Sequence, residues 1–236
     1  ERIVSFRALL RRYQYNYTYF PAEFGLVTDK RLVSFVISDF PFYRGWDPNG
    51  PDAGVNSTGG SSPYTYSAMT LINYLTPAFA LRRGALRHKA VYQSFTDSTN
   101  HSARLLMKLS RYKTEGAINS VGVDSLNSTS QGARRRSIES SAVNTLAGIY
   151  VTPVNNNPCI EYETPFYTQG QRFIPARKKD IYAGLGNGHV LSVDVQGGLS
   201  GRDNRIERYV SIGEDFQLGL FVGAPVLYSY TSPISL

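Results

Sequence analysis

The sequence predicts an all-β fold, an antiparallel β-sandwich with short helices and long loops, and three observations support this prediction. Short segments of alternating apolar and polar residues recur along the chain, as expected for half-buried strands. Aromatic residues reach 13%, with 17 Tyr and 12 Phe, and these residues favour strands. The 21 Gly and 12 Pro indicate many turns. About eight strands with long connections favour a Greek-key or jelly-roll arrangement over an up-and-down barrel.

The stretch 159–164 shows the strand pattern most clearly. Its even-numbered residues point to one side, while Glu161 and Glu163 point to the other. Pro165 ends the ladder because proline has no N–H to donate, and the aromatic pair Phe166 and Tyr167 follows. We therefore expect a strand at a sheet edge, next to an aromatic loop that contacts a neighbour.

The remaining strands are predicted from the same alternation. The segment 13–20 places Tyr at every second position, and all four tyrosines are expected on one face. Asn16 begins a glycosylation acceptor sequence, which we discount because it lies in a strand of a chain without a secretory signal. Further strands are expected at 31–40, 86–92, 103–112 and 190–195, with one inside 140–154 that ends near Pro153 and the last ones between 209 and 230. Long surface loops are expected at 42–64 and 113–137.

Two short helices are predicted. Residues 1–12 form an amphipathic segment whose apolar residues recur at helical spacing and whose arginines occupy the remaining surface. This helix closes one end of the domain, or it is a basic helix that faces a neighbour or nucleic acid. The second helix is expected over 67–74, with Ser67 as the N-cap and Pro77 beyond its end.

Composition limits the classes of function. The net charge of +7 and the pI of about 9.5 permit a polyanionic partner. The single cysteine, Cys159, excludes an internal disulfide framework and a cysteine-based zinc site, and it fits a reducing compartment. The sequence shows no secretory signal and no run of 18 apolar residues, so no membrane-spanning segment is expected. The start at Glu1, without methionine, suggests a processed product.

The sequence offers no convincing catalytic set. The three histidines lack metal-ligand spacing, so no metal site or cofactor is expected, and no Gly-x-Ser-x-Gly segment is present. Glu161 and Glu163 share one strand face and could pair as acid and base, although charges on an edge strand are more often structural. The adjacent Glu214 and Asp215 are the one carboxylate pair that we single out. Neighbouring strand residues point to opposite faces, so these two would share a proton only at a bulge.

Four blocks, in chain order, together resemble one capsid protein of insect-infecting picorna-like viruses, the dicistroviruses and iflaviruses. The segment 5–12 is similar to the Ser-x-Arg-x-Leu-Leu-Lys/Arg-Arg opening of that protein, and 79–87 to its Phe-x-x-x-Arg-Gly-x-x-Arg strand. The segment 161–167 resembles the family's Glu-x-x-x-Pro-Tyr/Phe-Tyr strand exit. The segment 213–219, followed by Gly-Ala-Pro at 223–225, resembles its closing strand.

This resemblance implies a single eight-stranded jelly-roll domain over 1–236, without enzymatic activity or cofactor. The protein would be a structural subunit of a non-enveloped icosahedral capsid, most like the major subunit at the fivefold axes. Its partners would be sister capsid proteins, copies of itself and, without sequence readout, the positive-strand genomic RNA. A host receptor is a further candidate partner. The expected locations are the virion and, during assembly, the host cell cytoplasm.

The resemblance also implies site residues. An Asp-Asp-Phe motif of this subunit has been proposed to assist cleavage of the capsid precursor, and the matching residues here are Glu214, Asp215 and Phe216. The first of them departs from the pattern by one methylene. The segment 38–40, Ser-Asp-Phe, is a rival placement with one acid. The basic residues expected to face RNA are those of the opening segment, Arg2, Arg7, Arg11 and Arg12.

Two other classes of function remain open at this point. A carbohydrate- or ligand-binding β-sandwich module would be a monomer with a concave aromatic site, formed by Trp46, Tyr43 and Tyr64. A β-sandwich hydrolase would need a pocket in which two carboxylates or a histidine converge. A capsid subunit would instead be oligomeric, with much of its surface covered by partners.

Overall fold

The computed structural model consists mainly of antiparallel strands. It describes residues 5–19, 31–37, 40–46, 64–65, 67–93, 104–111, 121–125, 148–153, 156–166, 172–176, 189–196 and 205–224. The helices are α1 (Phe6–Leu10), α2 (Leu71–Leu75) and a 3₁₀ turn (Thr76–Ala78). The strands are β1 (Gln14–Tyr19), β2 (Arg31–Ile37), β3 (Gly45–Trp46), β4 (Tyr64–Thr65), β5 (Phe79–Arg83), β6 (Leu86–Gln93), β7 (Arg104–Arg111), β8 (Val121–Ser125), β9 (Gly148–Pro153), β10 (Cys159–Thr164), β11 (Ile174–Pro175), β12 (His189–Gln196), β13 (Arg205–Ile212) and β14 (Gln217–Phe221).

The larger strands form two antiparallel sheets. One has the order β1-β13-β6-β10 and the other the order β8-β2-β12-β7-β9. Two smaller sheets have the orders β11-β5-β14 and β3-β4. The prediction of an all-β antiparallel fold is confirmed, and among the described strands β10 lies at an edge of its sheet, as its sequence pattern indicates.

Strand β10 has the predicted alternation. Ile160 and Thr164 are buried, Glu161 and Glu163 are exposed, and the strand ends immediately before Pro165. Its partner β6 alternates in the same way, with buried even-numbered residues from Leu86 to Tyr92. This alternation positions two rows of charged side chains on the outer face of the sheet.

The predicted common face of the tyrosines in β1 is wrong. The register shifts between Tyr15 and Tyr17, because Asn16 is an extra residue in the ladder with β13. Tyr15 therefore contacts Tyr209 on the outer face, whereas Tyr17 packs against the buried ring of Phe42. The side chain of Asn16 is buried and donates to the carbonyls of Phe42 and Ala68, so it is not a glycosylation site on this surface.

The two helices are shorter than predicted and begin at other residues. In α1, Leu10 is buried as expected, but Phe6 is exposed. The N-cap of α2 is Thr70, whose hydroxyl accepts from the Asn73 N–H in a reciprocal capping box. Ser67, the predicted cap, instead donates to the Phe42 carbonyl.

Two predicted loops are only partly described. Phe42, at the start of the predicted loop 42–64, is buried, and residues 45–46 pair with 64–65. Strand β8 lies inside the predicted loop 113–137 and pairs with β2. The rest of both segments lies outside the described residues.

Candidate functional site

The predicted acidic motif lies in a tight turn between β13 and β14, which we call the acidic turn (residues 214–216). The preceding Gly213 donates its N–H to the Ala85 carbonyl at 2.9 Å, and Phe216 donates back to Gly213 at 3.4 Å. A Cβ added to Gly213 would lie 2.8 Å from Ala85 Cβ, closer than side chains normally approach. Glycine is therefore required where the chain enters the turn.

The Asp215 carboxylate joins the acidic turn to the β5–β6 connection. Its Oδ1 accepts the backbone N–H of Ala85 at 2.8 Å. Gly84 has φ +99°, and a Cβ there would lie 2.4 Å from both the Asp215 carbonyl and Phe216 Cα. The two connections therefore pack closely together. The β13–β14 turn supplies the carboxylate that accepts the hydrogen bond, and the β5–β6 connection supplies a glycine whose missing side chain permits the close approach.

Phe216 anchors the turn in the core. Its side chain is almost fully buried in a cluster with residues from α1, α2, β6 and β13. The cluster consists of Leu10, Phe40, Ile72, Leu86, Val210, Ile212 and Phe216. Phe216, the third residue of the predicted motif, is therefore a packing residue that solvent barely reaches.

Glu214 connects the acidic turn to helix α1. Its carboxylate pairs with the Arg11 guanidinium, and its carbonyl accepts from Arg7 Nη1 at 3.1 Å. Arg87 Nη2 lies 3.9 Å from the other carboxylate oxygen. The Glu214 side chain is 62% exposed, so each pair contributes at most about 1 kcal/mol. Together these contacts clasp α1 against the turn.

The charged rows of β6 and β10 continue this network across the outer face. Arg87 Nε donates to Glu163 at 2.7 Å, and Lys89 Nζ donates to Glu161 at 3.0 Å. These hydrogen bonds raise the pKa of Arg87 and that of Lys89. Burial, together with the nearby Glu161, raises the pKa of Tyr13. Each glutamate faces a cation across the strands, so the two carboxylates do not act as an acid–base pair with each other.

The structure separates the predicted basic residues. Arg7 and Arg11 lie against Glu214, and Arg12 is exposed. Arg2 lies outside the described residues. In the rival acidic segment, Ser38 and Asp39 are likewise outside them, while Phe40 belongs to the core cluster. The opening arginines are thus partly neutralised by the acidic turn, a contact between residues about 200 positions apart that sequence spacing could not reveal.

A buried polar cluster surrounds His88 on the inner face of the sheet, and its partners are distant in the sequence. His88 stacks on Tyr162 with ring centroids 4.8 Å apart, and its Nε2 lies 3.3 Å from Thr164 Oγ1. Arg208 reaches His88 Nδ1 at 3.5 Å and lies over the Phe42 ring at 5.3 Å. Because His88 alternates along β6 with the outward-facing Arg87 and Lys89, the sequence pattern assigns it to the interior.

Other expected sites can be checked only in part. Among the described residues, no group of three His, Cys, Asp or Glu is placed to hold a metal ion, and no described helix is long and apolar enough to cross a membrane. Tyr43 packs on Phe40 beside the core cluster. The side chains of Trp46 and Tyr64, its predicted companions in a ligand site, lie outside the part that the structure describes.

Comparisons with known proteins identify the family. A family model described as CRPV capsid protein like matches residues 1–232. A chain in the structure of a marine algae virus of the order Picornavirales is 39% identical, with a TM-score of 0.82, and the match covers 99% of this chain and 86% of that one. None of the curated proteins compared with the chain matches it.

More distant capsid structures share the fold. A chain of deformed wing virus carrying the GFP gene is 16% identical with a TM-score of 0.60, over 100% of this chain and 90% of that one. A chain of the Israel acute paralysis virus pentamer is also 16% identical, with a TM-score of 0.53, over 100% and 84%. The chain therefore belongs to the CRPV-capsid-like family, and it is a structural capsid subunit of a picorna-like virus rather than an enzyme.

Proposed function

We propose that the chain is a single eight-stranded jelly-roll domain over 1–236. In chain order, the eight strands that carry this proposal are β1, β2, β6, β7, β9, β10, β12 and β13. The first pairs with the eighth, the second with the seventh, the third with the sixth and the fourth with the fifth. A long antiparallel ribbon that is rolled into two sheets produces this pairing, and it supports a jelly roll.

In this proposal the domain tiles an icosahedral shell. It assembles with sister capsid proteins and, around the fivefold axes, with copies of itself, and the shell encloses a positive-strand RNA. The observation that carries the proposal is the ribbon pairing, in a chain that is 39% identical to a capsid chain of a marine algae virus. Assembly would take place in the host cell cytoplasm, and exposed loops would meet a host receptor.

Sedimentation of material isolated under native conditions tests this proposal. A megadalton particle that holds RNA and sister proteins is expected. A 26 kDa monomer without any tendency to assemble would contradict it and would favour a ligand-binding sandwich.

The opening arginines Arg2, Arg7, Arg11 and Arg12 are proposed to lie near the RNA. Their contribution would be neutralisation of phosphates without base readout, and Glu214 would compete with phosphate for Arg7 and Arg11. RNA retention by the particle should then weaken as salt is raised. Retention that does not depend on salt would contradict this contribution.

The resemblance supports a further proposal, that the acidic turn assists precursor cleavage. Asp215 is exposed, and Ala85 occupies its Oδ1, so its other oxygen remains accessible to a neighbouring polypeptide. Glu214 would tune the local charge, and Phe216 would hold the turn in place. The Asp215 carboxylate would act as the positioned proton acceptor or donor.

Asp215→Asn tests this role with little change to the fold, because the amide oxygen can still accept from Ala85. A general acid–base role predicts slower precursor cleavage by about 100-fold or more. Glu163→Gln is the matched control, since Glu163 is an exposed carboxylate of the same surface outside the turn. Cleavage of the Asp215→Asn precursor at the unaltered rate would refute the role.

A further inference from the structure

Two arginines from separate elements converge on the Glu214 carboxylate. Arg11, at the end of α1, pairs with one carboxylate oxygen, and Arg87 Nη2 of β6 lies 3.9 Å from the other. A carboxylate and a phosphodiester group both present two oxygens that share one negative charge, and arginine binds either group through its N–H groups. The space that the Glu214 carboxylate occupies therefore suits a phosphate group.

Arg87 is already oriented for such a ligand. Its Nε donates to Glu163 at 2.7 Å, while its Nη2 is directed toward Glu214. A guanidinium that is anchored through Nε loses less side-chain entropy when its outer N–H groups bind a second anion. About one-third of the Arg87 side chain is exposed, so a ligand can reach it. Glu163 thus positions Arg87 for an anion at the place of Glu214.

The Glu214 side chain can move away without disturbing the turn. The turn is held by the hydrogen bond from the Ala85 N–H to Asp215 and by the buried ring of Phe216. The Glu214 side chain takes no part in either contact, and more than half of it is exposed. Its rotation into solvent would uncover both arginines while the backbone of the turn stays in place.

The surroundings suit a polyanion better than a single anion. Arg7 lies in α1 and Arg12 lies two residues beyond its end, and both are exposed. A single-stranded RNA carries one negative charge on every nucleotide, so a strand bound at the place of the Glu214 carboxylate brings further phosphates to these arginines. An isolated anion would replace one charge by another without these additional contacts.

We propose that Arg11 and Arg87 form a phosphate site for single-stranded RNA, and that the Glu214 carboxylate closes this site in the free subunit until RNA displaces it. This inference rests on the proposed RNA contact of the opening arginines, and it adds Arg87 of the sheet to that contact. Glu214 is an internal competitor, so the apparent affinity of the site is reduced by the fraction of subunits in which the site is closed.

RNA binding by the full chain tests this proposal. A fluorescein-labelled oligouridylate, which forms no base pairs with itself, is titrated with the chain at several salt concentrations, and its fluorescence anisotropy is measured. Glu214→Gln should bind about threefold to fivefold more tightly than the unaltered chain, because the factor corresponds to one exposed ion pair. Arg87→Gln should bind more weakly and should reduce the slope of log K against log salt by about 0.7, the value for one phosphate on a single strand.

Matched variants separate the site from net charge. Glu161→Gln and Lys89→Gln remove the same charges from the neighbouring pair on the same sheet, and each should change the affinity less than half as much. In a chain that carries both Arg11→Gln and Arg87→Gln, the further change Glu214→Gln should no longer tighten binding. An undiminished effect of Glu214→Gln in that chain, or equal effects of Glu214→Gln and Glu161→Gln, would overturn the proposal. Thermal unfolding of each variant checks that it is folded.

Two further outcomes distinguish the ligand and the underlying proposal. Labelled polyglutamate of the same charge should bind several-fold more weakly than the oligonucleotide, and equal binding would assign the site to an acidic protein segment and overturn the inference. Salt-dependent RNA retention by particles, together with no effect of Glu214→Gln, would overturn this inference alone. Retention that does not depend on salt would contradict the proposed contact of the opening arginines.

Discussion

The acidic turn and the edge patch (residues 220–222) are only a few residues apart in the chain. The first is anchored by burial and hydrogen bonds, whereas the second is exposed to solvent. Phe216 is held in the core, and Asp215 and Gly213 are bonded to Ala85. The side chains of residues 220–222 are exposed to solvent, although the Phe221 ring contacts Phe79 and the Val222 N–H donates to the Ala78 carbonyl. The acidic turn finds its packing and hydrogen-bond partners within the subunit. The apolar side chains of the edge patch are unfavourable in water until something covers them.

This difference shows how a shell subunit can combine stability with assembly. The buried anchor fixes the direction in which β14 leaves the turn, so the exposed residues are presented in one orientation. An interface that is pre-organised in this way loses less conformational entropy when a partner binds. The contrast predicts that substitutions in the turn affect folding, while those in the patch affect assembly.

The largest effect is expected from Phe216→Ala. Removing a buried aromatic side chain leaves a cavity between α1, α2 and the sheet, and the free energy of unfolding should fall by about 3–5 kcal/mol. Urea denaturation of the isolated chain measures it. Phe221→Ala is the matched control, expected to change stability by about 0.5 kcal/mol or less. Equal losses from the two variants would refute the contrast between turn and patch.

Gly84→Ala should have the next largest effect. The added Cβ would need to occupy space held by the Asp215 and Phe216 backbone, in addition to adopting a positive φ. Strain and overpacking together should lower the free energy of unfolding by about 3 kcal/mol. Gly45→Ala separates the two causes, because Gly45 has φ +112° with nothing within 4 Å of the added Cβ. If both variants lose the same stability, the close approach of the two connections has no energetic role.

Local sequence patterns predicted the parts of this fold that depend on neighbours in the chain. The prediction of strand β10 was correct because both of its signals, the alternation and the terminating Pro165, act over only a few residues. The alternation of β6 is a local signal of the same kind, and it separates Arg87 and Lys89 on one face from His88 on the other. The prediction that the tyrosines of β1 share one face was wrong because Asn16 is an extra residue in the ladder. Its side chain is held by buried hydrogen bonds to the carbonyls of Phe42 and Ala68. Tertiary contacts decided that register.

The candidate site shows the same division. Sequence alone could mark Glu214 and Asp215 as adjacent carboxylates, but their partners lie far away in the chain. Ala85, which bonds Asp215, is 130 residues distant, and Arg11 is 203 residues from Glu214. Nothing in the alternation of β14 indicated the positive φ of Leu220. Pairings of this kind follow from topology, which a single sequence specifies only indirectly.

Glu214→Gln tests whether the acidic turn clasps helix α1. Removing the charge weakens the pairs with Arg11 and Arg87, and because these pairs are exposed, the free energy of unfolding should fall by less than about 1 kcal/mol. Hydrogen exchange in α1, at the N–H groups of Ala8 and Arg11, should accelerate by up to about fivefold. Glu161→Gln removes the Lys89 pair on the same sheet and should leave α1 unchanged. Unaltered exchange in α1 of Glu214→Gln would contradict the clasp.

The smallest effect on the isolated chain, and the only one expected to be stabilising, is that of Leu220→Asn. Leu220 has φ +57°, and asparagine tolerates this left-handed conformation better than leucine, so the free energy of unfolding should rise by up to about 1 kcal/mol. Particle yield should fall, because an exposed apolar patch is typical of an interaction surface and asparagine removes apolar area from it. Gln217→Asn, on the same strand at an ordinary φ, should show neither change. Opposite signs for the free chain and the particle would show that the strain at Leu220 serves assembly, whereas a loss in both would assign Leu220 to the folding of the subunit itself.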